Sequence, residues 1–581
     1  MLTHASYKSP QYFRGWEQRD RHNLWILSAC SVSTSRGLDG RALRTPDLAT
    51  HADANLEKAM GRQLYGVGHA RRIMKPVAIR LEGGLLQATT ARHTTPACSS
   101  ILSPHINTQS AGRRRRQIHS SPSGRQHATI LDSSNTPSPP PAAPTVKEPA
   151  KSGPGSTPAL GCLPLGQILR SYLITSVSSS PALLEASSKL LRQMLESKNF
   201  LFSLERNPIA RALLHETFYK QFCAGSTKQE VSKTTTELRQ MGYSGVILEY
   251  ALEVLKDAEG DEAVDVETWR EGMLSSVHMA DRGDFLGLKW SGMGVAAMNR
   301  MKKNEQPSKQ MSEAMHAVCQ AAAAKDISLL PAAEETWSLD GFHQWCLDLQ
   351  RQYNTAGKSV VYSTYQAYLK QTPETVARHL QIAKDEGFTL GLKLVRGAYL
   401  GTEARSLIWD TIEGTHTSYD TIASALIHRK DNELVRPFNK SSGEGFWPST
   451  NVMLATHNAV SVRLAQEHRR AQAARGEELT TLTFAQLQGM ADEVSTSLIA
   501  AARASEQERQ ALGLSQEENF KRGAVKEKVF KCTTWGTMHQ CLNYLLRRAA
   551  ENKDAASRTK DTRLAMGAEL RRRVKATFGL A

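Results

Sequence analysis

The chain has 581 residues, 40% of them hydrophobic and 22% charged, with a net charge of +16. That length supports one large domain with extensions, or several average ones, and a core that needs no covalent staples. The charge points at first to nucleic acid or an anionic membrane, but residues 1–160 hold 21 Lys/Arg against 9 Asp/Glu, and residues 161–581 hold 52 against 48. A nearly balanced body argues against nucleic-acid binding. The eight cysteines form no Cys-x-x-Cys pair and no zinc spacing, which argues against a disulfide framework and fits reduced thiols inside a cell. No stretch reaches the ~18 uninterrupted apolar residues of a spanning helix, and a peripheral membrane contact stays open.

In chain order, residues 83–131 carry no Asp or Glu but include Arg92, Arg113 to Arg116 and Arg125 among many Ser and Thr. Arg-rich, Ser-rich and acid-poor is the composition of a mitochondrial transit peptide. The run from Arg116 to Ser121 resembles a matrix-processing site. A transit peptide belongs at the N-terminus, so Met74 is the expected natural start, with residues 1–73 an upstream extension or second leader. Residues 1–132 thus read as a disordered extension and transit peptide, and the Pro/Ser-rich 133–160 as a linker that buries too little to fold. Residues 161–240 show apolar residues three and four apart, as in LLEASSKLLRQMLESKNFLF, and read as an α-helical arm.

From residue 241 to about 560 short β-rich runs alternate with helical ones. The expected strands are 245–249 (GVILE), 285–290 (FLGLKW), 327–330, 359–364 (SVVYST), 389–395 (TLGLKLV), 452–456 (VMLAT), 481–485 (TLTFA) and 528–532. Eight such units predict a distorted (β/α)8 barrel, with a doubly wound sheet as the alternative, followed by a C-terminal helix over 561–581. In a barrel, function sits at the C-terminal ends of the strands.

Two motifs there are decoys. Gly292-Met-Gly-Val-Ala-Ala297 fits the dinucleotide fingerprint, but a Lys-rich helical stretch follows it instead of a second strand with an acidic end. It reads as a glycine-rich strand exit. Gly357-Lys358-Ser359 lacks the first glycine of a P-loop, since Gln352 stands there. No metal motif is present, and no metal is expected.

The sharper signals are polar residues at strand ends. Lys289 closes an apolar strand, where an ammonium is costly without a partner. Gln366 ends another strand, Lys393 to Ala398 (KLVRGA) a third and Thr456-His457-Asn458 a fourth. Near the C-terminus YLLRRAAEN (544–552) puts Tyr544 and Arg548 on one helical face, with Glu551 a turn past the arginines. Paired guanidinium forks suit a small carboxylate.

VYSTYQAYL (361–369), LKLVRGAYL (392–400), ATHN (455–458), FAQLQGMADEVS (484–495) and YLLRRAAEN occur together and in this order, and on them the chain resembles the proline dehydrogenase (proline oxidase) family in its fungal mitochondrial form over about 200–560. The resemblance implies FAD at the C-terminal face of the barrel. It implies hydride transfer from C5 of L-proline to flavin N5, giving Δ1-pyrroline-5-carboxylate, with electrons passed to ubiquinone by a peripheral protein on the matrix side of the inner membrane. By position, Arg547, Arg548 and Lys289 would hold the proline carboxylate, Tyr544 and Leu487 would pack on its ring, and Glu551 would pair with the arginines. Gln366, Lys393, Val395, Arg396, Gly397, Ala398, Thr456, His457 and Asn458 match the flavin-binding positions. The chain departs from the family pattern at Ala332, where many members have Asp, at Lys393, where bacterial members have Arg, and at Cys532, where they place a Tyr over the ring. The smaller Cys532 makes 4-hydroxyproline the alternative substrate, and Ala332 raises a catalytically weak, binding paralogue.

Overall fold

The computed structural model describes residues 158–580 except 198, 200–203, 205, 252–259, 356, 437–446 and 552–555. The leader, the Met74 start and nearly all of the linker lie outside the described residues. The arm opens with α1 (Leu165–Ser178), α2 (Pro181–Glu196) and α3 (Pro208–Leu214), and its helical path runs on through a π-turn to Phe222. Prolines start α2 and α3 where an amide would have no partner anyway, and Asn207 caps α3.

A short strand β1 (Cys223–Gly225) leads into the alternation: α4 (Lys228–Met241), β2 (Gly245–Tyr250), α5 (Glu262–Met279), β3 (Phe285–Leu288), α6 (Val295–Lys302), α7 (Lys309–Ala324), β4 (Ser328–Pro331), α8 (Leu339–Tyr353), β5 (Ser363–Gln366), α9 (Thr372–Glu386), β6 (Leu390–Val395), α10 (Ile412–His428), β7 (Thr450–Ala455), α11 (Ala459–Ala474), β8 (Thr481–Leu487), α12 (Asp492–Ala511), α13 (Gln516–Lys521), β9 (Lys528–Trp535), α14 (Met538–Glu551) and α15 (Ala556–Thr577). Strands β2 to β9 run parallel in the order β4-β3-β2-β9-β8-β7-β6-β5, and β1 joins β9 from outside. The two ends of this sheet meet at one bridge, Leu329 to Val361. The expected distorted (β/α)8 barrel is the fold.

Strand five differs from expectation. SVV (359–361) lies at the seam and strand pairing begins only at Ser363. The buried Asn354 explains this: its Oδ1 accepts from the amides of Val360 and Val361, both at 2.9 Å, and its Nδ2 donates to Val361 and Thr389 carbonyls. A side chain thus substitutes for a ladder where the barrel has to close.

Side chains alternate across the wall. Ile247, Phe285, Leu330, Tyr362, Met453, Ala485 and Phe530 form the inner plug, with Ala455 and Cys532 packed on it. The helix-facing sets form two larger clusters around Trp290, Trp345 and Met315 on one side and Leu392, Leu454 and Phe484 on the other. The decoy glycines belong to that packing, since a side chain at Gly294 would strike the Asp265 carboxylate and one at Gly292 the Trp269 ring.

Candidate active site at the barrel mouth

The same alternation sorts the polar strand ends. Counting in twos from the inner plug, Glu249, Lys289, Ala332, Gln366, Lys393, Leu487 and Cys532 occupy inward-facing positions at the C-terminal mouth. Arg396 and Thr456 have the opposite parity and meet outside the wall, between β7 and the helices. The expected residues therefore fall into two groups.

In the inner group, α14 brings its side chains over the mouth. The Tyr544 hydroxyl donates to Glu249 at 2.9 Å, and the Arg548 guanidinium lies 5.3 Å from the Tyr544 ring centre. The Cys532 sulfur is 3.8 Å from the same Glu249 oxygen. Burial, and then the Glu249 charge, push the Tyr544 and Cys532 pKa values well up. Both groups keep their protons, and Cys532 is no thiolate nucleophile. Arg547 is half-buried on the same helix. Glu551 is the last residue of α14, but its side chain lies outside the described residues. Lys289 pairs with Glu334 at 3.6 Å. Glu334 thus supplies, two residues on, a carboxylate beside the lysine in a segment where Ala332 has none. Gln366 is buried and donates to the Glu334 carbonyl at 2.8 Å. Lys393 is close enough to the Cys532 thiol to oppose its upward shift.

In the outer group, Arg396 donates to Thr456 Oγ1 at 2.6 Å, to Ser461 at 2.7 Å and to His416 at 3.2 Å, and its guanidinium sits 4.3 Å from the Tyr419 ring centre. Asp420 is half-buried nearby, its pKa raised by desolvation against the pull of Ser461 and Arg396. Asn458 caps α11, accepting from Val460 and Ser461. A fixed guanidinium beside a helix N-terminus is a setting for phosphate oxygens. Val395 and Ala398 line the strand exit between the groups, Val395 half-buried and Ala398 exposed. Gly397 has φ +140°, and a side chain there would strike the Tyr368 ring, so the glycine is required by packing as well as by any approaching ligand.

The two groups are tied by the 487–490 loop. His457 Nε2 accepts from the Leu487 amide at 3.1 Å, which leaves the neutral ring's proton on Nδ1. Leu487 itself is 41% exposed. Behind the wall the fully buried Lys531 donates to the Met490 carbonyl at 2.8 Å and the Leu487 carbonyl at 3.3 Å, and pairs with buried Asp492 at 2.8 Å. Glu249, Glu334 and Lys531 are the residues sequence reasoning missed. Glu249 carried the same signal as Lys289, a charge closing an apolar strand, while Lys531 carried none beyond a charge within a strand.

The proline dehydrogenase family profile matches residues 231–561. The chain is 28% identical over 475 residues, 71% of this chain and 89% of the relative, to a probable mitochondrial proline dehydrogenase of Schizosaccharomyces pombe. It is 27% identical over 468 residues, 71% and 91%, to hydroxyproline dehydrogenase of Bos taurus. Among solved structures it is similar to proline utilization A (PutA) of Bdellovibrio bacteriovorus inactivated by N-propargylglycine, at TM-score 0.47 and 14% identity, over 67% of this chain and 40% of that one. With the family profile spanning more than half of its length, the chain belongs to the proline dehydrogenase family.

Proposed function

We propose that this oxidoreductase converts L-proline to Δ1-pyrroline-5-carboxylate with FAD, passing the electrons to ubiquinone. The observation that carries the reading is the mouth itself, where Arg548, Tyr544 and Glu249 interlock over inward-facing Lys289, Lys393 and Leu487. The donor set fits a flavin dinucleotide: Arg396, Thr456 and the α11 N-terminus with Asn458 would take the pyrophosphate, and Gln366, Lys393, Val395, Gly397, Ala398 and His457 would border the ring. Bound there, FAD would supply the acceptor for the C5 hydride and the relay to the quinone.

The chain's own residues bind and orient. Arg547, Arg548 and Lys289 would hold the carboxylate, with Glu551 bracing the arginines, while Tyr544 and Leu487 would confine the ring, so that a fixed C5 replaces any side-chain nucleophile. A mitochondrial address fits the relatives' names and the leader's composition. Among the described residues no helix is long and apolar enough to cross a membrane. The outward row Leu165, Leu169 and Leu173 on α1, each about half exposed, offers a surface for peripheral contact with the matrix side of the inner membrane.

A second reading, 4-hydroxyproline as substrate, is favoured by the small Cys532 beside Glu249. A weak paralogue is disfavoured by the Lys289–Glu334 pair. Dye-coupled turnover of the purified chain on each substrate separates these: L-proline should give the higher kcat/KM. A higher value with 4-hydroxyproline moves the substrate assignment, and turnover of neither rejects the enzyme.

A further inference from the structure

The arm packs directly on α14, where Leu191 and Leu214 meet Leu542 and Leu546 and Tyr219 meets Cys541 and Tyr544, and a polar chain also ties it to the 487–490 loop. Arg170 on α1 donates through Nε to Gln221 Oε1 at 3.1 Å, and Gln221 Nε2 donates to the Gly489 carbonyl at 3.2 Å. Gln221 is 3% exposed, and both ends of its carboxamide are engaged. Its orientation is thus set by the guanidinium on one side and the loop on the other. Gly489 has φ +74°, and a side chain there would meet the Gln221 carbonyl oxygen at 2.5 Å. The arm's backbone therefore closes directly on the loop. Gln488 adds two ties, its amide to the Cys532 carbonyl at 2.8 Å and its Nε2 to the Cys223 carbonyl at 3.4 Å.

A second line runs from α1. Gln167 donates to Asp492 at 3.3 Å, and Asp492 pairs with Lys531, which holds the Leu487 and Met490 carbonyls. Helix α1 is itself anchored from the far end of the chain. Ile168 and Leu163 pack with Met566 of α15, and Arg573 donates to the carbonyls of Leu160, Gly161 and Leu163.

We infer that Arg170 and Gln221 are positioning residues for the substrate, acting in series through the Gly489 carbonyl to set Leu487 over the ring. The helical arm is then a working part of the active site. This rests on the proposed place of Leu487 against the substrate.

The test uses the full chain with its flavin and the variants Gln221→Leu, Arg170→Leu, Arg170→Lys and the Arg170→Leu/Gln221→Leu pair. Gln221→Leu should raise KM for proline roughly three- to tenfold with kcat little changed, as expected when ground-state positioning is lost. The double variant should be no worse than Gln221→Leu alone, because the two groups form one chain, and Arg170→Lys should recover most of the effect. Hydrogen exchange of the Leu487 and Gln488 amides should speed up by about tenfold in Gln221→Leu, a readout independent of turnover. An unchanged KM and unchanged exchange in Gln221→Leu, or additive effects in the double variant, would overturn the inference. Faster exchange with unchanged KM would place the loop correctly but refute its contact with substrate. A wild-type chain that exchanges as expected yet oxidises no proline would refute the functional reading instead.

Discussion

Removing Lys531 tests how the substrate loop is held. The Lys531 and Asp492 side chains are 2% and 1% exposed and lie 2.8 Å apart. In Lys531→Met the methylene stem is kept, but Asp492 is left as a buried carboxylate with Gln167 and its own helix N-terminus for company. The Leu487 and Met490 carbonyls also lose their donor. Breaking a buried pair from one side costs about 3–5 kcal/mol, most of it the stranded charge. Urea unfolding of Lys531→Met, Asp492→Asn and the double variant should therefore show a large loss for the lysine change. The double variant should lose less than the sum of the singles, with a coupling of about 2 kcal/mol or more. Proline KM should rise in Lys531→Met, since Leu487 is no longer pinned. A loss under about 1 kcal/mol, or strictly additive singles, would refute the reasoning that this pair anchors the loop.

Other consequences follow from the same geometry. Arg548→Met should lower kcat/KM for proline by roughly 30- to 1000-fold, the ~2–4 kcal/mol of a truncated buried charge contact, and mainly through KM; an unchanged KM removes it from the clamp. Cys532→Tyr should depress 4-hydroxyproline turnover at least about tenfold more than proline turnover, as steric exclusion from a pocket does, and an unchanged ratio would deny that Cys532 faces the ring. Asn354→Ala should cost about 2–5 kcal/mol in urea unfolding by orphaning two buried amides at the seam, and a neutral result would mean that the barrel closes without it. His343 is 4% exposed, and burial, then the Arg378 charge, lower its pKa to about 3. His379 is lowered too, by burial, then by His343 and Arg378. The unfolded chain takes up protons as pH falls through ~6.5 while the folded chain does not, so stability is lost over that range. His343 removes about 2 kcal/mol between pH 7 and 5, and His343→Asn should flatten the profile measured by urea unfolding.

The barrel was legible because parallel strands buried on both faces read as apolar runs punctuated by amphipathic helices. Its mouth was legible where a charge closed such a run, as at Lys289 and Arg396. Strand five slipped because Asn354, five residues upstream of SVV, takes the amides that the run's β-branched residues appeared free to pair. The division of the expected flavin residues into an inner and an outer group follows from counting in twos, and needed the plug residues to fix which parity faces inward. The arm's hold on the loop was invisible to sequence, because Gln221 and Gly489 lie 268 positions apart and Gln221 stands in no motif.

The central claim is that this barrel oxidises proline through bound flavin. Adding L-proline to the purified full chain under anaerobic conditions, and following the visible flavin band, tests it most directly. The account predicts that L-proline bleaches the band and that Arg548→Met needs far more proline to do so. Protein that purifies without flavin, or flavin that L-proline leaves unbleached, would contradict it.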